Sequence, residues 1–153
     1  MRWLVVIGTA LTLTPSATAG VPSPCSLLTN AQVAKALASK VASKQEMHYT
    51  DYRGRTCQWQ GVNLAPSSSY AVHRELSLMV STTTKTKFLR FANENQGAVR
   101  VAGVGEDAFL LPQGNGGLLS VYAGGYLLEL TVSNVTSGSA IEKRLAENAI
   151  AQL

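Results

Sequence analysis

Histidines, cysteines and adjacent carboxylates, the residue types that most often supply catalytic or metal-binding groups, occur at few positions in the chain. His48 and His73 are the only histidines, and either could serve as a general base. Neither lies in the Gly-x-Ser-x-Gly turn of a hydrolase or in the His-Glu-x-x-His helix of a metalloprotease. A surface or structural role is the favoured interpretation. A small enzyme with a site built from His73, Glu75 or Asp107 is the alternative.

Glu106 and Asp107 are the only adjacent acidic residues, and they follow a turn that contains Gly103 and Gly105. Such a pair could bind a cation, but Ca²⁺ takes six or more oxygen ligands and no matching spacing follows. We expect Asp107 to cap the turn through hydrogen bonds to the backbone. The sequence therefore predicts no metal ion and no cofactor.

The two cysteines, Cys25 and Cys57, are the remaining reactive side chains. Neither has a second cysteine or a histidine at the spacing of a zinc site. In an oxidising compartment an even pair of cysteines indicates a disulfide. Two free, buried thiols are the alternative.

The first 19 residues have the pattern of a secretory signal peptide. Met1-Arg2 supplies a positive charge, Trp3–Leu13 is apolar, and Ala17-Thr18-Ala19 is a cleavage site of the A-x-A type. The apolar run is shorter than the ~20 residues of a membrane span. The sequence thus predicts a signal peptide over 1–19, a linker over 20–24 and one domain over 25–153. We expect the protein to be secreted or associated with the cell envelope, with no stable membrane span once the signal peptide is removed.

Composition and charge agree with one globular domain. Of the 153 residues, 46 % are apolar and 14 % are charged. The net charge is +4, and without Arg2 it is +3, which favours loose attraction to anionic surfaces. The chain has no dense stripe of lysine and arginine interleaved with aromatic residues, so nucleic acid is not an expected partner.

The segment Leu118–Val132 is predicted to be a β-hairpin around which the other elements are arranged. Gly124-Gly125 at its tip can adopt the positive φ angles of a tight turn. Folding there places Val121 opposite Leu128 on one face, and places Ser120 opposite Glu129 on a more polar face. A shift of one residue would exchange the two faces, so the register is well specified.

Tyr122, Tyr126 and Leu127 lie near this tip and are assigned to the face opposite Val121 and Leu128. If no helix covers that face, these three residues form an exposed aromatic patch suited to a partner. If a helix covers it, they belong to the core.

Helices are predicted before and after the strands. Thr29 with Gln32, and Ser139 with Glu142, have the spacing of capping boxes at two helix starts. A third helix is expected over Lys85–Gln96. Strands are expected over Thr56–Gly61, where Trp59 shares a face with Cys57, and over Val72–Thr82. This element order predicts an α+β fold, with one antiparallel sheet and helices packed mainly on one face.

Three local patterns, taken in order, resemble a family of small exported proteins of high-GC Gram-positive bacteria. They are Pro24-Cys25-Ser26-Leu27-Leu28-Thr29, Cys57-Gln58-Trp59, and Gly103-Val104-Gly105-Glu106-Asp107-Ala108 before a hairpin. The family is known as a domain of unknown function, and its members are often lipoproteins. The resemblance spans about residues 24–153 and implies an α+β domain with a disulfide between Cys25 and Cys57. This chain lacks the lipobox that would precede a lipid-modified cysteine.

The sequence favours a secreted, non-enzymatic binding module whose partner is an unknown protein or a ligand of the cell envelope. Fold signals are strong and no catalytic motif is present, which motivates this hypothesis. An inhibitor of a secreted hydrolase, acting through the loop Asn63–Tyr70, is a further alternative beside the enzyme.

Overall fold

The computed structural model describes residues 20–49, 54–64, 72–113, 116–135 and 139–153. Its seven strands are β1 (Val41–Tyr49), β2 (Gly54–Asn63), β3 (His73–Thr82), β4 (Val99–Arg100), β5 (Asp107–Gln113), β6 (Gly116–Ala123) and β7 (Tyr126–Ser133). Its four helices are α1 (Pro24–Leu27), α2 (Asn30–Leu37), α3 (Lys85–Glu94) and α4 (Ala140–Ile150).

The strands form one antiparallel sheet in the order β1-β2-β3-β7-β6-β5-β4. The hairpin β6–β7 therefore joins the two halves of the sheet, because β7 also pairs with β3. This single antiparallel sheet with its helices confirms the α+β prediction.

The predicted hairpin register is confirmed residue by residue. Val121 pairs with Leu128 and Ser120 pairs with Glu129. Gly124 and Gly125 have φ angles of 57° and 86°, the left-handed values that a tight two-residue turn requires. Glycine is used at the tip because a Cβ atom at such angles is strained.

Three helices, α1, α2 and α4, pack on one face of the sheet and enclose the core. The sheet contributes the inward side chains of alternate positions, and the helices contribute apolar stripes that meet them. The fully buried side chains of this core include Trp59, Leu37, Leu76, Leu78, Leu119, Leu128, Leu130 and Ala149. Helix α3 packs on the other face, over β5 and β6, through Phe88.

The disulfide between Cys25 and Cys57 is present and ties α1 to β2, with the two Cα atoms 5.0 Å apart. Cys57 and Trp59 alternate along β2 on the core side and both have no exposed surface. The prediction that Trp59 shares a face with Cys57 is confirmed.

The two predicted capping boxes have different outcomes. At α2, Thr29 Oγ1 accepts from the Gln32 backbone N–H and the Gln32 side chain accepts from the Thr29 N–H, as predicted. At α4 the box is wrong, because Ser139 has helical backbone angles and its side chain makes no cap hydrogen bond. Glu142 instead turns inward and is 1 % exposed.

The strand β1 and the helix α1 were not predicted. Strand β1 lacks alternation because it is an edge strand exposed along most of its length, so pairing with β2 defines it rather than burial. Helix α1 begins at Pro24 within the predicted linker, where the fixed φ of proline suits the first helical position. The predicted signal peptide over 1–19 lies outside the described residues. None of the described helices is long and apolar enough to cross a membrane.

We expect Glu142→Met to raise the free energy of unfolding at neutral pH by about 1 kcal/mol, because the buried Oε2 atom of Glu142 has no hydrogen-bond partner. Burial raises the pKa of the Glu142 carboxyl, partly opposed by a backbone hydrogen bond. The folded protein therefore holds the proton more tightly than the unfolded chain, so wild-type stability falls as pH rises through the folded pKa.

Urea unfolding of the variant and the wild type at two pH values tests this. The gap in stability should be larger at neutral pH than at about pH 4, near the pKa of an unfolded glutamate. Glu147→Met, at an exposed position of the same helix, is the control and should change stability little. A stability difference between the two proteins that does not change with pH would contradict the destabilising effect assigned to the ionised Glu142 carboxylate. A Glu142→Met variant less stable than the wild type would contradict it as well.

Candidate functional site

The candidate site is the face of β1, β2, β3 and β7 that points away from α1, α2 and α4, here called the open face. Among the described helices only α3 lies on this side, and it packs over β5 and β6. Strand alternation and register assign the open-face side chains. They are Ser43, Gln45, Met47, Thr56, Gln58, Gln60, Asn63, His73, Glu75, Ser77, Met79, Ser81, Leu127, Glu129, Thr131 and Ser133.

Hydroxyls, amides and two carboxylates dominate the open face. Glu75 Oε1 accepts a hydrogen bond of 2.5 Å from Gln58 Nε2 on the neighbouring strand. Ser43 Oγ donates to Gln60 Oε1 across β1 and β2 at 3.3 Å. No lysine or arginine occurs at the open-face positions that the structure describes. The face therefore offers hydrogen-bond acceptors and negative charge.

Glu129 is the most unusual group of the open face. It lies on β7 in the middle of the sheet and is half-buried. Burial raises the pKa of its carboxyl, and a hydrogen bond of 3.3 Å from Ser120 Oγ only partly offsets that effect. No cation pairs with it among the described residues. A positive charge brought to this face would stabilise the ionised carboxylate.

Two basic side chains of the strands are held on the opposite side, Arg74 by the end of α2 and Arg55 by Glu46 and the segment before α1. Arg74 Nη1 donates to the carbonyl oxygens of Leu37 and Ala38 at the end of α2. Arg55 contacts Glu46, with Nη2 at 2.5 Å from Oε1, and also donates to the Val21 carbonyl oxygen. The charge of the sheet is therefore asymmetric, because these cations sit on the helix side and Glu75 and Glu129 on the open face.

The structure separates the three residues predicted as a partner site. Tyr122 lies under α3, with its ring centroid 5.9 Å from that of Phe88. Leu127 is half-buried at the end of the open face. Tyr126 pairs with Ala123 and packs against the core on the helix side. Its assignment to the face opposite Leu128 was wrong, because residues two apart on a strand share a face.

The acidic pair has structural partners. Asp107 is buried, with Oδ2 at 3.0 Å from Lys85 Nζ and Oδ1 bonded to Arg100 Nη2. The hydrogen bond from Lys85 is the main cause that lowers the pKa of Asp107, against the opposing effect of burial. Glu106 Oε1 accepts from the Gly124 N–H at 3.0 Å. Asp107 on β5 is thus joined to α3 and β4 by contacts with the side chains of Lys85 and Arg100. The prediction had been hydrogen bonds from Asp107 to the backbone of the turn.

The residues of the enzyme alternative do not form one cluster, because His73 and Glu75 share a face at one end of β3 whereas Asp107 lies far from both. His73 Nδ1 lies 2.9 Å from the Gly61 carbonyl oxygen, at one end of β3. The register aligns Asp107, through Tyr122 and Leu127, with Ser81 at the opposite end of β3, roughly 26 Å from His73 along the strands.

His48 is 66 % exposed, and its Nε2 lies 3.6 Å from Glu46 Oε1. Ser23 Oγ donates to the other oxygen of that carboxylate at 2.5 Å. A catalytic triad needs the histidine between the hydroxyl and the acid, and here the acid lies between them. Hydrogen bonds from Ser23 and Arg55 lower the pKa of Glu46 although burial, the largest single influence, raises it. Glu46 thus acts as a structural anchor for the segment before α1.

The loop proposed for the inhibitor alternative, Asn63–Tyr70, falls mostly outside the described residues. Only its first two residues are described, with the Leu64 N–H bonded to the Val72 carbonyl oxygen at 2.7 Å.

Comparison with known proteins gives no relative: no family model, no curated protein and no solved structure matches this chain significantly. The resemblance to exported proteins of high-GC Gram-positive bacteria therefore stays a prediction.

The sequence pattern places Glu129 on the polar face of the hairpin but does not single it out. Its register partner Met79 on β3, and Thr56 beyond it on β2, come from strands far away in sequence, so only the register of β2, β3 and β7 brings these residues together. The available signal was a glutamate in the middle of an otherwise apolar strand sequence, Tyr126–Val132.

Proposed function

We propose that this protein is an exported, non-enzymatic binding module that receives a cationic segment of a protein partner on its open face. The main support for this proposal is the charge of the open face. The open face has two carboxylates and no described lysine or arginine, in a chain whose overall net charge is positive.

The geometry of the two carboxylates supports an arginine- or lysine-bearing partner. Glu129 is half-buried and its carboxylate has a single hydroxyl partner. A nearby cation would stabilise the ionised carboxylate, which burial has partly removed from water. Glu75 is oriented by Gln58 and has a second oxygen available for a donor. Ser77 and Thr131 lie between these carboxylates on paired strands and can bond the backbone of a bound segment.

Export is the second part of the proposal. The leader sequence supplies its main support, and the disulfide is consistent with an oxidising compartment. The resemblance to small exported proteins would fit the same location. In such a compartment the partner would be a protein of the envelope or the surrounding medium.

A calorimetric titration tests the binding face. The probe is a short peptide of alternating glycine and arginine, titrated at low ionic strength into protein purified from cells expressing the full chain. We expect saturable binding that becomes at least about tenfold weaker when Glu75→Gln and Glu129→Gln are combined.

The matched control combines Glu94→Gln with Glu147→Gln, which changes the net charge equally at exposed positions on α3 and α4. Its affinity should stay near that of the wild type. If both double variants bind the peptide equally weakly, net charge alone explains the loss of affinity and the open face is not the binding site. Absence of saturable binding by the wild type would also refute the proposal.

A further inference from the structure

A groove of about 280 Å³ lies between α2 and α4, on the side of the sheet opposite the open face. Gln32, Lys35 and Ala36 of α2 form one wall, at the spacing that places side chains on one helix face. The small side chain of Ala36 leaves room between the helices. The groove is independent of the open face and shares no residue with it.

The opposite wall combines an apolar floor with polar edges. Ile141 and Leu145 of α4 supply the apolar part, and Leu145 is 2 % exposed. Arg144 and Asn148 of the same helix stand at the edges, one turn apart. The groove is thus apolar at its base and polar where it opens.

The charges of the groove are of one sign. Lys35 and Arg144 are both exposed, one on each wall, and neither forms an ion pair with any residue that the structure describes. Glu142 is the acidic residue of α4 that is closest in sequence to Arg144. It is buried on another side of the helix and does not line the groove. Gln32 uses its carbonyl oxygen to cap α2, so its amide group is left as a donor.

We propose that this groove binds an anionic amphiphile, a molecule with one acidic headgroup and a short apolar tail. Lys35 and Arg144 hold the headgroup between the two helices, with the Gln32 amide as a further donor. The tail lies on Ile141 and Leu145 beside Ala36. The volume lies near the lower end of ordinary ligand pockets, which limits the ligand to a small molecule or to one lipid headgroup with part of its chain.

A titration with octanoate tests the site. It is monitored by two-dimensional amide NMR, on protein purified from cells expressing the full chain. We expect saturable shifts that are concentrated in α2 and α4. Acetate, which has the headgroup alone, and octanol, which has the tail alone, should each bind at least about tenfold more weakly than octanoate.

Two variants test the groove by different means. Lys35→Gln combined with Arg144→Gln removes both cations and should weaken octanoate at least about tenfold. Ala36→Leu fills the groove without changing any charge and should weaken octanoate by a similar factor. Lys40→Gln combined with Lys87→Gln is the matched control, because it removes two exposed cations outside the groove and should leave binding unchanged.

Vesicles of phosphatidylcholine with a quarter phosphatidylglycerol distinguish the source of the ligand. Co-sedimentation that is lost in both groove variants, but kept in the control, would assign the site to a lipid headgroup, and octanoate binding without co-sedimentation would assign it to a free acid. Either result supports the proposal. Binding of neither probe, or equal loss in the control variant, would overturn it.

Discussion

Replacing Gly105 with alanine should lower the free energy of unfolding by about 3 kcal/mol. Gly105 has a φ of 56°, which is unfavourable for any residue with a Cβ atom. A Cβ at this position would also lie 2.6 Å from the Tyr122 carbonyl oxygen and 2.6 Å from Val121 Cγ1. That carbonyl accepts the Glu106 N–H at 2.9 Å, so the clash would disturb the contact between the turn and β6.

Gly124→Ala is the matched control for this prediction. Gly124 has nearly the same φ, 57°, but an added Cβ meets no atom within 4 Å. Only the backbone strain remains, and we expect a loss of about 1 kcal/mol. Urea unfolding monitored by Trp59 fluorescence measures both variants. Equal losses at the two glycines would show that the close approach of Gly105 to β6 contributes nothing.

Removal of the disulfide should destabilise the protein by about 3–4 kcal/mol, because the bridge closes a loop between residues 32 apart in sequence and so restricts the unfolded chain. The test variant combines Cys25→Ala and Cys57→Ala. A loss of this size is a large part of the total stability of a domain of this length.

The measurement is urea unfolding of the wild type and the double variant, each with and without a reducing agent. Reduction should destabilise the wild type by a similar amount and leave the double variant unchanged. A wild type whose stability does not respond to reduction, under conditions in which free-thiol assays show the bridge to be open, would contradict this role of the disulfide.

The hairpin could be predicted from the sequence because its information is local. The diglycine tip fixes the turn, and apolar residues at alternate positions fix which side chains face the core. The capping box of α2 is local in the same way, since Thr29 and Gln32 are within one turn.

The errors arise where tertiary contacts override a local signal. Ser139 and Glu142 have the spacing of a capping box, but Glu142 lies on the inward stripe of α4 and is buried there. Strand β1 is ordered by its pairing with β2, and its exposed sequence has no alternation to reveal it. A sequence pattern alone does not say which of these influences prevails.

The open face could be predicted only in part. Alternation shows that Glu129 and Ser77 are on polar sides of their strands, but not that these sides meet. It also does not show that α3 covers β5 and β6 while α1, α2 and α4 cover the opposite face. For that reason the sequence pointed to Tyr122, which α3 covers, and not to Glu129.

Methionine methyl NMR gives the most direct test of the open face. The chain has three methionines, of which Met1 lies in the predicted signal peptide and Met47 and Met79 lie on the open face. On titration with the glycine–arginine peptide, the methyl signals of Met47 and Met79 should shift along one saturable curve. When Glu75→Gln and Glu129→Gln are combined, both shifts should need at least about tenfold more peptide. Methyl signals that stay fixed while the peptide binds would place the partner elsewhere on the protein and contradict the account.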